Sequence, residues 1–248
     1  MISVVILTRN EEKNLTELLP QLDFSDDILL IDQGSTDKTV SLAKKFNCKI
    51  VEDTHESFAH RRNTALKHAK HPWIVFIDAD ERVSSELRTE ILESIKNTTA
   101  VSAFYIPRID IFWGKQVRYG EVLKARTQGI IRLVKADSGI WKGHVHEVFV
   151  PEGRTSRLTH HLTHYSHTGI ADFLASINMF STLRAQEMYK GGTRLWGMQI
   201  LTVPLAKFIY TYVLLGGFID GAQGFVYSFM MSFHSFLTRS KVYLLQNS

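Results

Sequence analysis

Asp78-Ala79-Asp80-Glu81 closes an apolar run, Trp73-Ile74-Val75-Phe76-Ile77. Carboxylates two residues apart at the end of a strand are oxygen ligands suited to a hard divalent cation. Mg²⁺ in particular is held by one or two carboxylates together with substrate phosphates. Taken alone, the pair fits a solvated loop better, so its neighbours decide. Thr8-Arg9-Asn10-Glu11 follows the apolar run 3–7, and Asp32 follows the run 27–31. Farther along stand Gly139-Ile140-Trp141-Lys142-Gly143-His144-Val145-His146-Glu147 and His160-His161-Leu162-Thr163-His164-Tyr165-Ser166-His167. Four histidines in eight residues suggest zinc, but the cysteines and paired spacings of a structural zinc site are absent.

The elements that must position these groups alternate. Strands are expected at 3–7, 27–31, 49–51 and 73–77. Helices are expected from Asn10-Glu11-Glu12 to about Leu22, from a Ser35 or Thr36 cap to Phe46, and over 60–69. Apolar strands separated by helices imply an α/β fold with a mostly parallel sheet covered on both faces. Ligands gather at the carboxyl ends of such strands. The Thr8–Glu11 cluster, Asp32 and the Asp78/Asp80 pair all fall there. Neither Gly-x-Gly-x-x-Gly nor Gly-Lys-Ser/Thr occurs, so dinucleotide and P-loop phosphate cradles are excluded.

These segments, read in order, resemble the inverting family 2 glycosyltransferases of GT-A fold. The residues that carry the resemblance are Ser3-Val4-Val5-Ile6-Leu7-Thr8-Arg9-Asn10-Glu11-Glu12, Ile31-Asp32-Gln33-Gly34-Ser35-Thr36-Asp37-Lys38-Thr39 and Phe76-Ile77-Asp78-Ala79-Asp80-Glu81. Arg61-Arg62-Asn63-Thr64-Ala65-Leu66 is similar to a helix start of a bacterial subgroup that includes lipopolysaccharide core glucosyltransferases. The resemblance implies a GT-A nucleotide-sugar-binding domain over 1–168. It implies that Thr8, Asn10 and Glu11 line the nucleotide pocket and that Asp32 reaches the uracil or its ribose. Gln33 stands where the family often has a second acid. Arg62 would face the base or the pyrophosphate, Asp78 the ribose, and Asp80 a divalent cation, Mg²⁺ or Mn²⁺. Glu147 would be the general base that takes the acceptor hydroxyl proton, with His146 sharing or orienting it and His144 touching phosphate. His164 would be a further metal ligand, His167 the second choice, and its imidazole favours Mn²⁺ somewhat. His160 and His161 read as loop or surface residues, Asp37 as a first-turn helix acid, and Glu81 as a rim or helix-start charge. For His144 and His146 the alternative is plain strand alternation, one packed and one exposed.

Composition bounds the rest. The 248 residues contain one cysteine, Cys48, so an internal disulfide is impossible and a reducing cytoplasm is expected. Residues 1–153 carry 21 Lys/Arg against 22 Asp/Glu, whereas 154–248 carry 8 against 3. That basic end is also apolar over long stretches, which fits an anionic membrane face and not nucleic acid. Residues 169–248 are expected to form two or three helices lying on, or dipping into, a membrane surface, beginning with 170–189. The segment 195–219 is interrupted by Pro204 and Lys207. Phe225, Phe229, Phe233 and Phe236 form one stripe of the last helix, and Ser228, Ser232, Ser235 and Arg239 a polar one; for that helix the alternative is that the Phe stripe packs on the catalytic domain.

The expected partners are a nucleotide-sugar donor, UDP-linked, and a glycolipid acceptor such as lipopolysaccharide inner core, at the inner face of the cytoplasmic membrane. Two alternatives stand beside this reading. One is transfer to a polyprenyl phosphate, whose acceptor is already an anion and needs little base catalysis. The other is a non-catalytic nucleotide-sugar-binding protein, which would have no need of Glu147.

Overall fold

The computed structural model describes residues 1–247 apart from 97, 99, 144–146 and 168. His144 and His146 therefore lie outside the described residues. The chain forms two compact units, Met1–Arg108 with Ala125–His164, and Ile109–Lys124 with Tyr165–Ser248. The sequence reading places a single break after 168 and has no means of assigning 109–124 to the second unit.

The elements run β1 (Ser3–Thr8), α1 (Glu12–Leu18), β2 (Asp27–Asp32), α2 (Thr39–Lys45) and β3 (Lys49–Glu52). Next come α3 (Phe58–His68), β4 (Trp73–Phe76), β5 (Glu81–Val83), α4 (Ser85–Lys96), β6 (Val101–Ile106), β7 (Arg108–Phe112) and β8 (Lys115–Val117). After α5 (Leu123–Thr127) follow β9 (Ile130–Lys135), β10 (Gly139–Lys142), β11 (Val148–Pro151), β12 (Arg154–Arg157) and β13 (Leu162–Ser166). Three helices close the chain: α6 (Ile170–Lys190), α7 (Gln199–Phe208) and α8 (Gly221–Asn247).

In the first unit a seven-stranded sheet has the order β12-β6-β9-β4-β1-β2-β3. β9 runs antiparallel to β4 and β6, and the other pairs are parallel. Val4, Ile6, Leu30, Val75 and Ile77 turn to one face against Leu15 and Leu18 of α1 and Leu87 and Ile91 of α4. Val5, Leu29, Ile31, Ile74 and Phe76 turn to the other, against Ala59 and Ala65 of α3, Trp141 and Phe149. Burial on both faces is why these strands read as unbroken apolar runs. The register aligns Thr8 with Asp32 and Val5 with Phe76, so β1, β2 and β4 end side by side.

Two details differ from expectation. α1 ends at Leu18, and Pro20 lies in a 3-10 turn, Leu19–Gln21, because proline cannot continue the i to i−4 ladder. Neither Ser35 nor Thr36 caps α2. The helix starts at Thr39, whose amide donates to Asp37 Oδ1 (2.9 Å).

In the second unit β7 and β8 form a hairpin, with Asp110 opposite Val117 and Phe112 opposite Lys115. Trp113 (φ 50°) and Gly114 (φ 73°) make its two-residue turn, which needs left-handed backbone at both positions. Phe112, Val117, Val122, Phe173, Ile177 and Met230 form the core. α7 continues as π-helix through Ile209–Leu214, and the chain bends at Gly216 (φ 73°) before α8. The Ser stripe of α8 faces inward, and its Phe stripe is divided, since Phe233 packs against the core. Ser228, Ser232 and Ser235 are buried, whereas Phe225 and Phe229 are exposed.

Candidate active site

The loops after β1 and β2 are laced together by side chains. Asn10 takes left-handed backbone (φ 58°), which asparagine tolerates. Its Oδ1 accepts from the amide of Thr36 (2.8 Å), and its own amide donates to Ser35 Oγ (2.9 Å). The amide of Glu11 donates to Thr39 Oγ1 (2.8 Å) and that of Glu12 to Asp37 Oδ2 (3.2 Å). Asp37 thus joins two helix starts in place of serving α2 alone. Asp32 is buried and accepts from Ser35 through both oxygens and from Thr8 Oγ1 (3.2 Å). It shapes the Gly34-Ser35 turn that any ligand at this edge would meet. Burial raises the carboxyl pKa of Glu11 against a lowering hydrogen bond from Asn14, and the charges of Asp80, Asp37 and Asp78 add to the rise.

The turn after β4 divides its acids. Asp78 accepts from Arg132 with both oxygens and from Arg62 Nη2 (3.2 Å). Burial alone would push Asp78 up, but Arg132 and Arg62 outweigh it and hold the carboxyl below the usual range. Glu81 is not the expected rim charge. It is fully buried, accepts from the amide of Asp78 (2.9 Å) and from Arg132 Nη2 (3.2 Å), and faces Arg108 at 4.0 Å. Burial raises its pKa, Arg132 opposes the rise, and Asp78 adds to it. Asp80 takes another direction. β13 pairs antiparallel with β5, His164 opposite Glu81, and so brings His164 Nε2 to 3.1 Å from Asp80 Oδ2.

Glu147 is tied to the same turn through Arg62. The β10–β11 hairpin is clipped to α3 by Asn63, whose Nδ2 donates to the Trp141 carbonyl and whose Oδ1 accepts from its amide, both at 2.9 Å. Glu147 lies within that hairpin, immediately before β11, and its Oε1 accepts from Arg62 Nε (2.9 Å). The Arg62 guanidinium packs over the rings of Trp141 (4.7 Å) and Phe76 (5.1 Å). Its Nη1 is buried and has no hydrogen-bond partner among the described residues.

The structure thus brings Arg62, Asp78 and Glu147 into one ion-pair chain and Asp80 and His164 into another pair. Thr8, Asn10, Glu11 and Asp32 form the adjoining loops. His160 is exposed and pairs with Glu90 (2.8 Å). His167, in left-handed backbone (φ 42°), stacks on Phe173 within the second unit. Arg132 was missed from sequence: in Ile130-Ile131-Arg132-Leu133 it reads as an ordinary alternating strand residue, and only the pairing of β9 with β4 carries it to Asp78. Among the described residues no three His, Cys, Asp or Glu side chains converge as a closed metal centre. Asp80 and His164 alone offer one oxygen and one nitrogen donor. That open set fits a divalent cation whose remaining ligands come from phosphate and water.

Comparison with known proteins bears on this arrangement. The sequence model described as glycosyl transferase family 2 matches residues 3–167. The lipopolysaccharide core biosynthesis glycosyltransferase LpsC of Rhizobium meliloti is 26% identical over 98% of this chain and 92% of its own length. Among solved structures, S. aureus TarS 1–349 in complex with UDP-GlcNAc superposes with a TM-score of 0.52 at 14% identity, covering 99% of this chain and 91% of that one. The mannosyltransferase PcManGT from Pyrobaculum calidifontis, in complex with GDP-Man and Mn²⁺, gives 0.52 at 16% identity, covering 100% and 88%. At such identities the structural matches establish the shared GT-A fold.

Proposed function

The chain belongs to glycosyl transferase family 2 and is a glycosyltransferase; from its geometry we propose that it moves a hexose from a UDP-sugar to a glycolipid, with inversion. The observation that carries this reading is Arg62, whose guanidinium holds Glu147 by Nε and Asp78 by Nη2. A carboxylate able to act as base is thereby held one side chain away from the edge where the three sheet loops meet. Glu147 would take the proton of the acceptor hydroxyl as that oxygen attacks the anomeric carbon and the bond to the diphosphate breaks. Its Oε1 accepts from Arg62, and its Oε2 would take that proton. The buried Nη1 of Arg62 would donate to the nucleotide or its diphosphate.

Asp80 and His164 would hold a divalent cation, which when bound supplies positive charge for the departing diphosphate. PcManGT, of the same fold, is described with GDP-Man and Mn²⁺, and TarS with UDP-GlcNAc. The likeness to LpsC along nearly the whole chain supports a lipopolysaccharide core acceptor.

The test is a turnover screen of UDP- and GDP-sugars with Mg²⁺ or Mn²⁺, followed by lipid extracts as acceptors and assignment of the product anomer by NMR. UDP release that rises on adding a glycolipid, with an inverted product, is expected. A retained anomeric configuration, or turnover stimulated only by a polyprenyl phosphate, would overturn the reading.

A further inference from the structure

α8 buries a line of small residues and exposes part of its aromatic stripe. Gly224, Ser228, Ser232, Ser235 and Thr238 are buried together with Met230 and Val242, and Phe233 packs against that core, while Phe225 and Phe229, in the first half of the helix, are 46% and 52% exposed. A water-facing helix hides its aromatic stripe and shows its hydroxyls. Small residues at the seam and apolar residues outside are the arrangement of helices in lipid, where close backbone approach holds neighbours together. The seam is tight: a Cβ on Gly224 would lie 1.9 Å from the Gly217 carbonyl oxygen, and Ser232 Oγ donates to the Pro204 carbonyl at 2.6 Å.

α7 repeats the pattern. Met198, Leu201, Leu205, Ile209 and Val213, spaced by three or four residues, form one exposed stripe, extended by Leu214, Phe218 and Ile219 at the bend. Phe208 and Tyr212 meet Phe225 edge-on at 5.7 and 5.6 Å and join the two helices. Lys207 does not disturb the stripe, because it pairs with Glu121 (3.1 Å).

Charge selects the occupant. Residues 188–248 contain five Lys/Arg and one acid, Asp220, whose carboxylate accepts from the amides of Arg118 and Tyr119; with Lys207 paired to Glu121, the excess lies with Lys190, Arg194, Arg239 and Lys241. An anionic bilayer complements such a surface, whereas a second copy of it would be repelled. Length selects the mode. Among the described residues no single helix is long and apolar enough to cross a membrane, whereas Gln199–Leu214 and Gly217–Asn247, bent by 70°, together have the length and composition of a broken span or a re-entrant loop. At about 1.5 Å per residue the first reaches about 24 Å, short of a hydrocarbon core of about 30 Å.

We propose that α7 and the first half of α8 enter one leaflet of an anionic bilayer as a bent hairpin, placing Leu201, Leu205, Ile209, Phe225 and Phe229 among the acyl chains. Arg194 and Trp196, just before α7, then lie at headgroup level. The inference is independent of the sugar-transfer reading.

Flotation of the full chain with phosphatidylethanolamine–phosphatidylglycerol vesicles and with pure phosphatidylcholine vesicles tests it. The protein is expected to float with the anionic vesicles. Leu205→Ser/Phe229→Ser is expected to weaken that binding by about tenfold or more, since two apolar groups leave the acyl layer. Both side chains are exposed, so folding and donor turnover stay unchanged. A nitroxide attached through Leu205→Cys is expected to report acyl-layer oxygen accessibility. Wild-type protein that stays down with anionic vesicles, a double variant that floats as well as wild type, or an aqueous nitroxide each overturns the hairpin. Self-association lost in the double variant, without flotation, overturns it too and assigns the face to a second copy. Donor turnover in detergent separates the two readings, since its presence without flotation removes this inference alone.

Discussion

Arg62 Nε lies 2.9 Å from Glu147 Oε1, although 85 residues separate the two in sequence. The same guanidinium reaches Asp78 at 3.2 Å, so one buried cation ties the hairpin loop to the turn after β4. A lysine has one nitrogen at that place and cannot serve both carboxylates in a fixed plane.

Arg62→Ala leaves two carboxylates facing a buried space without their shared cation. Loss of one partner from such a site costs about 3–5 kcal/mol. Urea unfolding should show that loss, with turnover abolished. Arg62→Lys should recover much of the stability and little of the activity. Equal recovery of both would mean that the fork geometry is unimportant.

Glu147→Gln keeps the shape and one acceptor oxygen toward Arg62 but cannot take a proton. Donor affinity by calorimetry should be nearly unchanged, while transfer falls about 10²–10⁴-fold, the range for removing a general base. Wild-type transfer with normal donor binding would remove Glu147 from the mechanism.

The sheet and its carboxyl-end clusters were legible because strands buried on both faces must be apolar and loops at their ends must be polar. What could not be read is which charges meet across the fold. Arg132 and Asp78 are 54 residues apart and are joined only by the antiparallel β9. Glu81 read as a rim charge because nothing local reveals that Arg132 and Arg108 compensate its complete burial. In α8 the two stripes were evident from spacing. Their direction was not, since a helical period says nothing about which side meets solvent. Residues 109–124 join the second unit through contacts with distant residues, such as Glu121 with Lys207.

Asp80→Ala should abolish the metal dependence of donor binding, and His164→Ala should weaken it, because the two donors converge at 3.1 Å. Titrating UDP with and without Mn²⁺ checks this. Asp78→Asn should instead leave metal affinity near wild type, since the Asp78 oxygens are engaged by Arg62 and Arg132. Identical UDP affinity with and without Mn²⁺ in the wild type would sink the assignment.

Cys48 is 8% exposed, and burial pushes its thiol up from 9.0 to about 11. The folded state binds the proton more tightly than the unfolded one. Its contribution to stability is therefore complete below about pH 9 and is lost as pH rises toward 11. Alkylation by iodoacetamide at pH 8 should be about a hundredfold slower in native protein than in urea, a two-unit difference in thiolate supply. Equal rates would show that the site opens readily.

Arg132 and Glu81 should be coupled, because each is buried and each compensates the other. Arg132→Met alone leaves Glu81 and Asp78 without their nearest cation and should cost about 3–5 kcal/mol. Glu81→Gln alone removes an acceptor from Arg132 but leaves Asp78 to hold it, so its cost should be smaller. In the double variant Glu81 no longer needs a counter-charge, and a cycle by urea unfolding should give a coupling of about 0.5–3 kcal/mol. Strict additivity would mean that the 3.2 Å pair is incidental and that Arg132 acts through Asp78 alone. In that case Asp78→Asn should take over the whole coupling to Arg132.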